Sequence, residues 1–301
     1  MTAAELSLGP VLFNWAPEVW RDFYFAIADE VAVDWVHLGE VVCSKRAPLL
    51  DKVWEPVVER LGAAGKRIVF DTPHLVVSPA ERQALRALSA RQDRMIEAND
   101  GGALALLGGR PHMIGPMVNC YNEGAMAWFA ERGAVAICLP GELDSAAIAT
   151  MAQAGRGLGV AVEVHAFGRV PLAISSRCNH ARAHGLHKDG CQFVCGRDGD
   201  GLAVQTLDRQ DFLAINGTQT LSHAVVCLLA ELRDLVAAGV SRFRLSPQTI
   251  DMKAVVTLYR DVLDGRRDGV AARADLGRLV AGLPLANGFI HGREGLALVT
   301  A

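Results

Sequence analysis

The feature that most constrains this chain is an alternation of short β-rich runs with amphipathic stretches of helical length. The β-rich runs are residues 8–13, 33–38, 67–71, 94–99, 112–117, 135–139, 161–166 and 242–246, and helical patterns at 17–30, 49–64, 79–90, 123–132 and 145–158 separate many of them. Alternation of this kind favours a parallel sheet with crossover helices. Eight such units within 301 residues match a (β/α)8 barrel, which typically takes about 250 residues. A doubly wound open sheet is the alternative. No Gly-x-Gly-x-x-Gly follows the first run and no P-loop is present, so no nucleotide-binding loop is expected. No low-complexity linker or composition break divides the chain. The expected architecture is therefore α/β: one barrel-like domain over 1–301, with a Cys-rich loop after strand seven.

Composition narrows the function classes. Lys plus Arg is 30 and Asp plus Glu is 33, a net charge of -3, which carries no general nucleic-acid footprint. Apolar residues make up 51% of the chain, enough for a sizeable core and too many for disorder. The longest stretch without acidic or basic residues, 212–230, contains Asn216, Thr218, Gln219, Thr220, Ser222 and His223, so no membrane span is expected. Met1-Thr-Ala-Ala-Glu5 lacks the basic and apolar regions of a signal peptide. A cytoplasmic setting follows as the expectation. There, seven cysteines are better read as metal or redox groups, where they cluster, than as structural disulfides.

They do cluster. Residues 175–201 are rich in Cys, His, Arg and Gly, lack a clean period, and follow the seventh strand, at the barrel end where catalytic loops collect. Cys178, Cys191 and Cys195 fall there with the spacing Cys-x12-Cys-x3-Cys. Cys43 lies five residues past the second strand, in the 40–46 loop, on the same barrel face. Four thiolates suit either a zinc site or an iron–sulfur cluster. A mixed zinc site built from Cys191, Cys195, His180 and His184, with Cys43 left free, is the competing arrangement. Cys138 and Cys227 sit in apolar runs and read as small buried hydrophobes. Cys120, in Asn119-Cys-Tyr-Asn122, has no local partner.

Polar residues at strand ends or in the loops that follow are the other candidates: Glu40, Asp71, Thr72, Asn99, Asn119, Glu142, Glu163 and Ser246. A barrel would gather some of them around one pocket, where carboxylates do acid–base work, and the rest would cap helices or satisfy loop amides. Lys45, Arg46 and Arg177 flank thiols and are suited to lowering their pKa or binding an anion. No Gly-x-Ser-x-Gly or His-Glu-x-x-His motif occurs.

Six blocks taken together carry a resemblance. Ser7-Leu-Gly-Pro-Val-Leu12, Leu38-Gly-Glu-Val-Val-Cys-Ser-Lys-Arg46, Asn119-Cys-Tyr-Asn122, Pro171-Leu-Ala-Ile-Ser-Ser-Arg-Cys178, Asn216-Gly-Thr-Gln-Thr220 and Arg244-Leu-Ser-Pro-Gln248 resemble, in order, the UbiV family of anaerobic ubiquinone biosynthesis. That family is a branch of the collagenase-like peptidases of unassigned mechanism. The resemblance implies a 4Fe-4S cluster on Cys43, Cys178, Cys191 and Cys195. It also implies a heterodimer with UbiU that hydroxylates ubiquinone precursors without dioxygen, with prephenate as a proposed oxygen source and the lipid-binding protein UbiT assisting. The wider family's Glu-to-Gly pattern is met by Glu163 and Gly168, but Pro171 stands where relatives carry a cluster cysteine, and Cys43 looks like its replacement. The wider family also leaves a peptidase, or a non-catalytic metal-bound scaffold for a partner, as alternative roles.

Overall fold

A computed structural model of the chain describes residues 4–280 and 282–300. Its elements in order are β1 (Glu5–Leu8), α1 (Pro17–Glu30), β2 (Trp35–Leu38), α2 (Asp51–Ala63), β3 (Arg67–Asp71), α3 (Pro79–Ser89), β4 (Met95–Ala98), α4 (Gly101–Leu107), β5 (His112–Ile114) and α5 (Glu123–Ala130). Then follow β6 (Ala134–Cys138), α6 (Ser145–Leu158), β7 (Ala161–Ile174), α7 (Asn179–Ala183), β8 (Leu202–Gln205), β9 (Asp211–Asn216) and β10 (Gln219–Cys227). The last are α8 (Leu232–Ala238), β11 (Arg242–Leu245), α9 (Met252–Leu263), α10 (Gly269–Leu279) and β12 (Leu285–Ala286).

Strands β1 to β7 pair in sequence order, all parallel. Strand β11 pairs in parallel with both β7 and β1 and closes the ring. The result is the expected eight-stranded α/β barrel with helices outside. Each helix turns an apolar stripe inward: α1 buries Trp20, Tyr24, Ile27 and Ala28, and α2 buries Val53, Val57 and Leu61. Trp20 stacks on Trp54 across these two helices, with centroids 5.8 Å apart. Burying each large side chain fully is worth about 1.5–3 kcal/mol, so this outer layer holds the barrel closed.

The first strand departs from the sequence reading. It runs over Glu5–Leu8, not 8–13. Gly9 donates a last ladder bond to Leu245 O at 2.8 Å, and Pro10 then has no N–H to continue the ladder. Val11, Leu12 and Phe13 are buried all the same, as a loop packed on the barrel mouth.

Strand β7 continues well past residue 166. Gly168 sits at φ +119°, and a Cβ there would lie 2.5 Å from the Ser246 Cβ. The register between β7 and β11 slips beside it, after Arg244. At this bulge the strand leaves the barrel and pairs antiparallel with β10, which pairs with β9, and β9 with β8. The β8–β10 meander was not expected from the sequence. It forms a plate beside the mouth, and the turn between β9 and β10 points back at the loops after β1 and β2.

Candidate functional site

The expected Cys-rich segment follows β7, with α7 and a 3-10 turn at Val194–Arg197 inside it. Cys178 is the N-cap of α7, and its Sγ accepts from Ala181 N at 3.3 Å. Gln192 and Phe193 both adopt left-handed backbone, at φ 50° and 52°. Non-glycine residues rarely do so. These two residues fold the chain between Cys191 and Cys195 back on itself. Cys43 opens the 3-10 turn Ser44–Leu50 after β2. Cys43, Cys178, Cys191 and Cys195 all line one small cavity, together with Arg46, Lys188, Phe193, Val194 and Gly217. Neither His180 nor His184 lines it. His180 Nε2 lies 2.8 Å from Asp198 Oδ2 instead.

The loop that carries Cys43 is held by buried polar groups. Glu40 Oε1 accepts from Val42 N at 3.0 Å and from Cys43 N at 2.8 Å. Arg46, 2% exposed, donates to Leu12 O and to Asn216 Oδ1, both at 2.9 Å. Asn216 Nδ2 donates to the same Leu12 O at 2.7 Å, and Thr218 Oγ1 donates to Val42 O at 2.9 Å. Ser44 donates to Glu81 Oε1 at 2.5 Å, and Glu81 closes the capping box of α3. The β9–β10 turn, the β1 loop and the β2 loop are thus one bonded unit.

Burial and the Arg46 charge act in opposite directions on the sulfur here. Burial works against the Arg46 charge, but Glu40, Cys195 and Cys43 outweigh it and raise its pKa. Burial raises the Cys43 thiol, and Arg46 offsets only part of that rise. Burial also raises Glu40, which weakens the only carboxylate that faces Arg46 within salt-bridge reach among the described residues. Arg46 Nε is buried without a hydrogen-bond partner. A buried guanidinium needs negative charge beside it, and thiols deprotonated by metal binding would supply that charge. Four thiols, a buried cation and an unpartnered N–H fit a thiolate-bound cluster, in which sulfurs accept hydrogen bonds.

A larger cavity of about 260 Å³ opens at the C-terminal face of the barrel. Its floor includes Glu97, Asn99, Arg244, Ser246 and His165, and its rim includes Asn119, Tyr121 and Glu142. Leu12 and Val41 line it too. They belong to the apolar cluster of Leu12, Val41 and Val42, against which Cys43 packs. Cys43 of the thiol cavity therefore packs on a cluster that contributes Leu12 and Val41 to the mouth cavity. Pro171 faces the larger cavity and not the thiols.

Below the floor lies a buried ionic network. Arg244 Nη1 donates to Glu97 Oε1 at 2.9 Å, and Arg244 also pairs with Glu163. Ser7 donates to Glu163, and His37 Nδ1 lies 2.9 Å from Asp71 Oδ1. Burial would raise Glu163, but Arg244, with His37, Arg242 and Ser7, lowers it to about 2. Burial raises Glu97 and Asp71 and lowers His37 to about 4. The donor atoms of His37, Asp71 and Glu97 come within 4.8 Å of one another, but the Arg244 guanidinium, 3.3 Å from His37 Nε2, already serves them as the cation.

Of the strand-end candidates, Asn99, Asn119, Glu142 and Ser246 line the mouth cavity. Asp71 and Glu163 belong to the network beneath it, and Glu40 turns to the Cys43 loop. Thr72 Oγ1 accepts from Asn99 N at 2.9 Å, a backbone-bonding role. Lys45 Nζ donates to Lys188 O at 2.7 Å and fastens the two thiol loops together. Arg177 is exposed and lines neither cavity. Cys120, Cys138 and Cys227 are buried, and burial pushes the Cys120 and Cys227 thiols up to about 11. Sequence reasoning missed Ser7, His37, Glu97, His165 and Arg244. The signal for Arg244 was its own strand: a barrel strand covered on both faces normally reads as continuous apolar residues, and Arg242-Phe-Arg-Leu245 does not.

The family model for peptidase family U32 matches residues 24–297. The chain belongs to peptidase family U32. Among solved structures, this U32 chain is similar to the spore coat polysaccharide biosynthesis protein spsE of Bacillus subtilis, at 10% identity and TM-score 0.39, with 99% of this chain and 75% of that one covered. It is also similar to phospho-2-dehydro-3-deoxyheptonate aldolase of Thermotoga maritima, at 11% identity and TM-score 0.34, covering 94% and 71%. Among the described residues, no helix of this U32 member is long and apolar enough to cross a membrane.

Proposed function

We propose that this U32 chain is a UbiV-type iron–sulfur subunit of a dioxygen-independent hydroxylase acting on ubiquinone precursors in partnership with UbiU. One observation carries the reading: thiols from two loops far apart in sequence line one cavity, and one of them, Cys43, packs on the apolar cluster that lines the barrel-mouth cavity. Cys43, Cys178, Cys191 and Cys195 would hold a 4Fe-4S cluster, which when bound supplies one-electron transfer. The six sequence blocks supply the rest of the reading: a heterodimer with UbiU, assistance from UbiT, and prephenate as oxygen source.

The chain's own residues do the following. Glu40 fixes the Cys43 loop through two backbone N–H groups. Arg46 offsets thiolate charge from within the protein, where a positive charge is worth most. Leu12 and Val41 give the mouth cavity an apolar side next to the Cys43 loop. At the mouth, the Arg244 charge is absorbed by Glu97 and Glu163, so the floor presents a nearly neutral surface suited to an uncharged ring. Burial lowers His165 to about 4, so an uncharged imidazole lines the mouth cavity at neutral pH.

The test is physiological. Deleting the gene should lower ubiquinone only in anaerobic or near-anaerobic growth, with un-hydroxylated precursors accumulating. The wild-type gene should restore the quinone, and a Cys43→Ala copy at equal protein level should not. Equal quinone loss with and without dioxygen would sink the assignment.

A further inference from the structure

We propose a second metal site, separate from the four-thiol cavity, in which His180, His184 and Asp198 bind a divalent transition ion such as Zn2+. The sequence pairs His180 and His184 four residues apart, which on a helix places both rings on one face. In the structure α7 ends at Ala183, His184 is its C-cap, and the two imidazoles lie nearly parallel, with centroids 5.7 Å apart at 16°. Asp198 caps the 3-10 turn Val194–Arg197 and reaches His180, its Oδ2 2.8 Å from His180 Nε2. One donor atom from each of the three residues lies within 4.8 Å of the other two.

Two imidazole nitrogens and one carboxylate oxygen are the donor set of a borderline cation, with water completing a tetrahedron. The site is half-built and open. His180 is fully buried and fixed in place, whereas His184 is exposed and Asp198 partly so. An ion can therefore enter from solvent, and binding needs little more than exchange of the His180–Asp198 hydrogen bond for two coordinate bonds. None of the three residues lines the thiol cavity. The site is nevertheless linked to it along the chain: Cys178 caps the N-terminus of α7, and Asp198 follows Cys195 by three residues. An ion here would staple the two turns that carry those thiols, so its occupancy would set how rigidly the Cys-rich segment is held.

The test uses the full chain purified without oxygen and titrated with Co2+, compared with His184→Ala and Asp198→Asn. Both substitutions are at solvent-accessible positions, and matched circular dichroism and melting curves confirm that the variants fold. The expected result is one equivalent of Co2+ that both variants bind more than about tenfold more weakly. The wild-type-minus-variant spectrum should hold weak visible bands and no intense sulfur-to-cobalt charge transfer. Cys43→Ser should retain this equivalent, and His184→Ala should retain the iron of the untreated protein. A titration in which neither variant loses an equivalent overturns the proposal. So does a difference spectrum that carries sulfur-to-cobalt charge transfer, because that places the ion on the thiols.

Discussion

Arg46 Nη2 donates to Asn216 Oδ1 at 2.9 Å, joining residues 170 positions apart. The same guanidinium reaches Leu12 O and lines the thiol cavity. One buried side chain thus fixes the β1 loop, the β2 loop and the β9–β10 turn relative to the thiols.

Replacing Arg46 with Met should separate these roles from simple packing. Removing one partner from a buried charged network costs about 3–5 kcal/mol, and the thiol cavity loses the cation that lines it. The variant should unfold at lower urea and carry less than half of the wild-type iron. Arg46→Lys keeps the charge but cannot reach Leu12 and Asn216 together, so it should recover iron only in part. Wild-type iron content in both variants would show that the guanidinium does not support the site.

Gly217 is the residue on which the turn depends. Its φ is +61°, and a Cβ would lie 2.8 Å from Arg46 Nη2. Gly217→Ala should therefore cost about 1–2 kcal/mol from the left-handed backbone alone, and more through displacement of Arg46. The check is a urea unfolding curve paired with iron analysis. Stability and iron should fall together, whereas Gly185→Ala, also at positive φ but with open space around it, should lower stability alone.

The barrel interior makes a pH prediction. Glu163 is lowered from 4.5 to about 2, because Arg244 and its neighbours outweigh burial. A carboxyl depressed on folding contributes stability fully above its unfolded pKa and loses it as pH falls through the folded value. The stability gap between wild type and Glu163→Gln should be constant above about pH 5 and shrink as pH falls toward 2. The full effect is about 3 kcal/mol. Urea unfolding of both proteins between pH 6 and 2 measures it. A gap that widens on acidification would contradict the ion-pair assignment.

The barrel was legible because its period is local: each strand and each helix announces itself within a few residues. The first strand was misplaced because Val11, Leu12 and Phe13 are as apolar as a strand while serving as a buried loop, and only Gly9-Pro10 marks the break. The β8–β10 meander was missed because its pairing partner is the far half of β7, a relation no local pattern carries. Cysteines in a polar, irregular segment stood out as chemistry, so the thiol group could be named from sequence. Arg244 with Glu97 and Glu163 could not, since their pairing spans 147 and 81 residues and depends on barrel closure.

Iron and acid-labile sulfide in protein purified without oxygen test most directly whether Cys43, Cys178, Cys191 and Cys195 hold a 4Fe-4S cluster. The expected result is brown protein with about four iron and four sulfide per chain. Ala at any of the four positions should remove most of the iron, while Cys138→Ala and Cys227→Ala should leave it in place. Stoichiometric zinc with no acid-labile sulfide, or full iron retention after Cys43→Ala, would contradict it.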